Sequence, residues 1–165
     1  MTDAWDLLWS DATGRFRAEG RQIGPLLMHR FRTTTDGYGA VVVVRRDGAT
    51  LFVTVDRPAV GRRLLELPRG MSEPEDTGGI GTAARELHEE TGFELVDPMH
   101  HGVVYPDSGL LADAVHVVAG SCSTTTVAPP EHGTTWLTDA EIRSAIVAGE
   151  LRDAISLAAL AVVGA

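Results

Sequence analysis

Glu86, Glu89 and Glu90 are the residues of this chain best suited to chemistry. They stand at i, i+3 and i+4, so a helix places all three carboxylates on one face. Each like-charge pair on an isolated helix costs roughly 0.2–0.5 kcal/mol. A divalent cation would remove that repulsion. Hard ions such as Mg2+ take oxygen ligands and are commonly held by one or two carboxylates together with substrate phosphates. The spacing therefore reads as half of a metal–phosphate site. A solvated acidic face is the plain alternative for Arg85-Glu86 followed by Glu89-Glu90 taken alone.

The surrounding elements favour the site. Glu66-Leu-Pro-Arg-Gly70 reads as a strand running into a loop, and Gly92 follows the acidic helix where a left-handed C′ residue is wanted. Thr77 is a candidate N-cap. Gly78, Gly79 and Gly81 weaken the first turn by roughly 1 kcal/mol each against alanine, so the helix is expected to start late, nearer Thr82. Upstream, the β-branched run Val41–Val44 suits a strand buried on both faces. Asp47-Gly48 is a hairpin signal leading to Leu51–Val55, and Leu64–Leu67 is a further strand stopped by Pro68. Downstream, His100–Tyr105, Ala114–Ala119 and Thr134–Leu137 read as strands. Thr138-Asp-Ala-Glu141 has capping-box form and opens a helix ending near Gly149. Arg152–Val162 reads as the last helix. Strands, a helix, strands and two helices make an α+β order.

Residues 1–37 form a strand-rich extension, expected at Trp5–Trp9, Arg15–Ala18 and Leu26–Arg32, packing on the main domain of 38–165 or on a partner subunit. Trp5 and Trp9 are candidates for stacking on a base or, as is commoner for tryptophan, for core or interface packing.

Composition narrows the function classes. At 165 residues the chain suits one domain, and 44% hydrophobic with 22% charged residues suits a soluble globular protein. The net charge of −9 argues against a general nucleic-acid binder. All 14 basic residues are arginine, so lysine chemistry is excluded, while arginine suits bidentate phosphate contacts. Cys122 stands alone, so no internal disulfide forms, which fits a cytoplasmic location. The N-terminus lacks signal-peptide form, and no apolar run is long enough to cross a membrane. His100 and His101 lack the partners of a zinc site.

The segment from Gly70 to Phe93 resembles the Nudix box: Gly, five residues, Glu, seven residues, then Arg-Glu-aliphatic-any-Glu-Glu-any-Gly-aliphatic. The second half matches at every specified position from Arg85 to Gly92, with Phe93 in the last apolar slot. The first half departs. Asp76 stands where Glu is expected, and eight residues then precede Arg85, so either Asp76 or Glu75 fills the acidic position. Val55-Asp-Arg57-Pro-Ala-Val-Gly61, Leu64–Gly70, Tyr105-Pro-Asp-Ser-Gly109 with Asp113, and the ending from Trp136 to Ala154 resemble the ADP-ribose pyrophosphatase branch.

The resemblance implies the Nudix fold, a mixed β-sheet sandwiched between helices, and metal-dependent hydrolysis of a nucleoside diphosphate linked to X, foremost ADP-ribose or a nucleotide sugar. It implies Glu86 and Glu90 as metal ligands, Glu89 as a third ligand or a base, and a backbone carbonyl at Arg69 or Gly70 completing the shell. Mg2+ is the implied ion, with Mn2+ possible. Arg85 would pair with the loop acid. Some members place a catalytic acid in a late loop, where Glu131 is the only one available, although a solvated loop glutamate is the default. Arg57 and Arg69 are candidate substrate contacts. A homodimer is expected. A nucleoside triphosphate sanitising enzyme and a non-catalytic nucleotide-binding module are the alternatives.

Overall fold

The computed structural model describes residues 4–33 and 38–164. The expected domain boundary between 37 and 38 abuts residues 34–37, which lie outside the described residues.

Three strands open the chain: β1 (Asp6–Ser10), β2 (Phe16–Ile23) and β3 (Leu26–Thr33). They form an antiparallel sheet of their own. It is fastened to the rest of the protein through β3. Phe31 N–H donates to Leu110 O (2.8 Å), Ala112 N–H donates to Phe31 O (2.8 Å), and Thr33 N–H donates to Asp113 Oδ2 (2.6 Å).

The main body is built on β4 (Tyr38–Arg46), whose run of valines is fully buried, as the sequence predicts. Alternation along the strand serves two cores. Val41 and Val43 join Phe52, Leu67 and Val117 beneath the C-terminal helices, while Ala40, Val42 and Val44 join Leu51, Ala83 and Leu87 beneath the acidic helix. The hairpin to β5 (Ala49–Arg57) turns at Asp47 and Gly48, both with positive φ (51° and 79°). Only Arg45↔Thr50 and Arg46↔Ala49 pair before the two strands part. That splay opens the sheet into two leaves. One holds β5, β6 (Arg62–Glu66) and β10 (Gly133–Thr138). The other holds β4, β7 (Arg69–Met71), β8 (Leu95–Val104) and β9 (Ala114–Cys122). β4 and β9 run parallel and the other pairs antiparallel, so the sheet is mixed.

Three helices flank it: α1 (Gly78–Thr91), α2 (Asp139–Ala148) and α3 (Ala154–Val163). The expected capping box is present at α2, where Glu141 N–H donates to Thr138 Oγ1 and Thr138 N–H donates back to Glu141 Oε2. α1 begins at Gly78 rather than near Thr82. Gly79 serves close packing there, since a Cβ on it would overlap the His116 ring, and Gly78 takes a positive φ of 70°. Thr77 occupies the N-cap position without a side-chain bond. α3 begins two residues later than expected, because Asp153 caps it. Among the described residues no helix is long and apolar enough to cross a membrane.

Candidate active site

α1 carries the acidic face. Its inner side, through Ala83 and Leu87, is buried against β4, and that packing fixes the direction of the rest. Glu90 is 6% exposed, Glu86 is half-buried, and Glu89 is exposed at the rim. Short β7, which the sequence did not reveal, pairs Val41↔Arg69 and Ala40↔Gly70 on β4 and so lays the Arg69–Gly70 backbone beside the carboxylates. Arg69 N–H donates to Glu90 Oε2 (3.1 Å). Gly70 meets Glu86 so closely that an added Cβ would lie 2.1 Å from Oε1.

Arg85 organises the loop before the helix. Its Nε and Nη2 hold Asp76 Oδ1 and Oδ2, each at 3.0 Å, and Nη2 also donates to Met71 O (2.7 Å). The acid that pairs with Arg85 is thus Asp76, while Glu75 is exposed. Asp76 Oδ2 also accepts from Glu73 N–H (2.9 Å), closing the extra residue of the loop into a turn. Arg85 Nη1 meanwhile contacts Glu86 Oε1 and Glu89 Oε2, both at 2.9 Å.

The electrostatics follow from this geometry. The fork of Arg85 holds the Asp76 carboxyl below its ordinary value, and Asp76 in turn holds the guanidinium above its own. Burial pushes Glu86 up, and pushes Glu90 up to about 8 against the opposing Arg69 N–H. Buried carboxylates that resist ionisation are suited to a cation, whose charge reverses that preference. The carboxylate donors are all oxygen, which fits a hard ion such as Mg2+ or Mn2+, and the Cα of Gly70 adjoins Glu86. Among the described residues no three acidic or histidine side chains converge as a closed cage. Arg85 stands between Glu86 and Glu89 instead.

A cleft of about 440 Å3 adjoins this face. Phe16 and Phe31 of the N-terminal sheet line it together with Arg57, Arg69, Gly70 and Met71. The structure therefore gathers Gly70, Arg69 and Arg57 around one space, and the Arg69–Gly70 backbone links that wall to Glu90 and Glu86 of α1, whose side chains do not line it. Glu131 stands apart. Its side chain is exposed, and its N–H donates to Glu89 O (3.2 Å), tying the late loop to the end of α1. The next residue, His132, reaches toward Glu90, with Nε2 3.8 Å from Oε1. Trp5 and Trp9 do not line the cleft; Trp5 lies under the guanidinium of Arg30, 4.3 Å from its ring centroid, and Trp9 is exposed. Phe16 and Phe31 escaped the sequence reading because nothing local marks them off from ordinary strand residues. His100 hydrogen-bonds His116 across β8 and β9 (2.8 Å), away from the cleft.

Comparison with known proteins agrees with this arrangement. A NUDIX domain family model matches residues 34–155. The chain belongs to the NUDIX domain family. A curated relative, "Nudix hydrolase 14, chloroplastic" of Arabidopsis thaliana, is 37% identical over 57 residues, which are 33% of this chain and 18% of the relative's length. A solved structure described as "Crystal structure of ADP compounds hydrolase" superposes with a TM-score of 0.74 at 16% identity, covering 99% of this chain and 94% of that one. "NUDIX hydrolase from Nitrosomonas europaea" superposes with a TM-score of 0.63 at 19% identity, covering 79% and 89%. At these identities the two structures establish the shared fold.

Proposed function

We propose that this chain is a Nudix hydrolase that cleaves the diphosphate of a nucleoside diphosphate linked to a second group, with ADP-ribose and nucleotide sugars as the leading substrates. The observation that carries the proposal is the shared wall: one cleft is lined by aromatic side chains, by three arginines (Arg32, Arg57 and Arg69) and by the Gly70 segment that abuts the acidic helix. Such a space suits a molecule with a flat base at one end and a diphosphate near the carboxylates. The description of the structural neighbour as an ADP compounds hydrolase supports the same substrate class.

Glu86 and Glu90, with the Gly70 carbonyl, are the proposed holders of Mg2+ or Mn2+, and Glu89 is the third ligand or the base. The ion, when bound, neutralises phosphate charge and activates the attacking water. Arg85 fixes the loop through Asp76 and steadies the acidic face. Arg57 and Arg69 face the anionic substrate from the opposite wall. Glu131 is the second candidate for the base, supported by the bond that ties its backbone to Glu89.

Phe16, Phe31, Arg32 and Thr33, within the proposed extension of 1–37, form one wall of the cleft, and residues of the proposed Nudix domain of 38–165 form the rest. Leu7, Leu8, Trp9, Leu26 and Leu27 of the extension are all more than half exposed, which supports a homodimer that covers them. Light scattering would then give twice the 17.6 kDa of one chain. A cytoplasmic setting is proposed on the single, unpaired Cys122.

The test is product analysis on a panel of ADP-ribose, nucleotide sugars, dinucleoside polyphosphates and oxidised dNTPs, with Mg2+ or Mn2+. Release of AMP and ribose 5-phosphate from ADP-ribose, lost in Glu90→Gln, is expected. Preference for the dNTPs would instead mark a sanitising enzyme, and binding without turnover a non-catalytic module.

A further inference from the structure

Behind the cleft lies a buried network that joins two of its arginines to the last helix. Glu66 is fully buried. It accepts from Arg57 Nε (2.9 Å) and Nη2 (2.7 Å), and pairs with Arg69 Nη2 at 2.8 Å. The same Arg69 Nη2 donates to Asp153 Oδ1 (3.0 Å). The other oxygen of Asp153 accepts from Ser156 N–H (2.8 Å) and Ser156 Oγ–H (2.7 Å) and so caps α3. Ser156 Oγ accepts in turn from Leu67 N–H (2.9 Å). The residues on both sides of Pro68 are thereby tied to the first turn of α3, Leu67 by its backbone and Arg69 by its side chain. Arg69 N–H meanwhile reaches Glu90.

Capping alone does not explain Asp153. One side-chain oxygen suffices for an N-cap, and asparagine or serine caps as well as aspartate. The second oxygen is aimed at Arg69. With both Nη2 hydrogens held, by Glu66 and by Asp153, the guanidinium plane is fixed. No bond to Nη1 is formed among the described residues, and Arg69 lines the cleft.

We propose that Asp153 is a positioning residue: its carboxylate caps α3 and at the same time holds the Arg69 guanidinium in the cleft wall, so that the charge of Asp153 at the start of the last helix sets the affinity for the anionic part of a nucleotide. The inference rests on the cleft being the nucleotide site proposed above. It places a determinant of substrate binding outside the box, 84 residues along the chain from the arginine it acts through.

Asp153→Asn and Ser156→Ala separate the two duties in the full-length protein. Asparagine keeps the cap and removes the charge that faces Arg69. Ser156→Ala removes the acceptor of Leu67 N–H and one donor to Asp153 Oδ2, and leaves the cap from Ser156 N–H and the Asp153 Oδ1–Arg69 bond in place. Melting temperature, KM and kcat for ADP-ribose, and Kd for α,β-methylene-ADP in Mg2+ are measured for each. For Asp153→Asn, KM and Kd rise about tenfold, kcat stays within about twofold, and the melting temperature moves by no more than about 2 °C. For Ser156→Ala, the melting temperature falls by more than about 4 °C while KM and Kd stay within about twofold. Wild-type affinity in Asp153→Asn, or equal losses of affinity in both variants, would reduce Asp153 to a helix cap. A wild-type protein that neither hydrolyses ADP-ribose nor binds the analogue would overturn the substrate reading and this inference together. A wild type that does both beside an unaffected Asp153→Asn overturns this inference alone.

Discussion

In the acidic cluster on α1, the single cation Arg85 bonds Asp76, Glu86 and Glu89, with Glu90 one turn beyond Glu86. Across the cleft, Arg57 and Arg69 meet Glu66 and Asp153, two cations against two carboxylates. The second cluster is balanced. Its most buried member, Glu66, is flanked by two guanidinium groups. The first cluster is not balanced: burial pushes up Glu86 although Arg85 contacts it, and pushes up Glu90 most of all. The difference separates two uses of the same residue types. Where arginines match carboxylates, the network holds backbone and side chains in place. Where carboxylates outnumber arginines, as on α1, the surplus is assigned, in the proposed function, to a divalent ion brought in from outside.

The largest expected effect falls on the surplus side. Glu90→Gln should lower kcat/KM for ADP-ribose by about a thousandfold while leaving the metal-free melting temperature unchanged or raised, because the amide needs no counter-charge. A comparable loss of metal-free stability would mean that Glu90 belongs to a structural network like that of Glu66. Glu66→Ala should act in the opposite sense. It strands two arginines behind the cleft and should cost about 3–5 kcal/mol in chemical denaturation. A variant as stable as wild type would show that the balanced cluster holds nothing in place.

Acid titration sharpens the contrast. Arg85 lowers the Asp76 carboxyl below its ordinary value of 3.8, so in that range the unfolded chain takes up the proton first. The stability Asp76 contributes is therefore complete above that value and is lost as the pH falls through the lower, folded one. Asp76→Asn should be less stable than wild type at neutral pH and should lose less on acidification, as read from urea midpoints between pH 3 and 7. The smallest effect is expected at Glu131. Glu131→Gln should lower kcat by about threefold, against about a hundredfold for Glu89→Gln. A reversed order would move the role of base to the late loop.

How much of this was legible in the sequence depended on how far apart the partners lie. The Asp47-Gly48 turn, the capping box of Thr138 and Glu141, and the acidic face of α1 are set by residues within a few positions of each other, and periodicity or turn chemistry reports them directly. The valine run of β4 announced a strand buried on both sides, though not that its hairpin with β5 parts after two pairs. The glycines at the start of α1 misled, since their low helix propensity is local whereas the contact of Gly79 with His116 spans the fold. The Glu66–Arg69–Asp153 network and the Leu67–Ser156 bond join residues up to 89 positions apart and leave no local pattern. Glu66 and Asp153 read as ordinary acids beside a strand and a helix. Phe16 and Phe31 become cleft residues only because β3 docks on the loop through Leu110, Ala112 and Asp113.

In the proposed function, the surplus negative charge of the α1 face grips a divalent ion. Titration of the metal-free protein with Mn2+, followed by the loss of the free-ion electron spin resonance signal, measures this without any turnover. Wild type and Asp153→Asn should bind the ion alike, and Glu86→Gln and Glu90→Gln should each weaken it at least about tenfold. Equal Mn2+ affinity across all four proteins would contradict it.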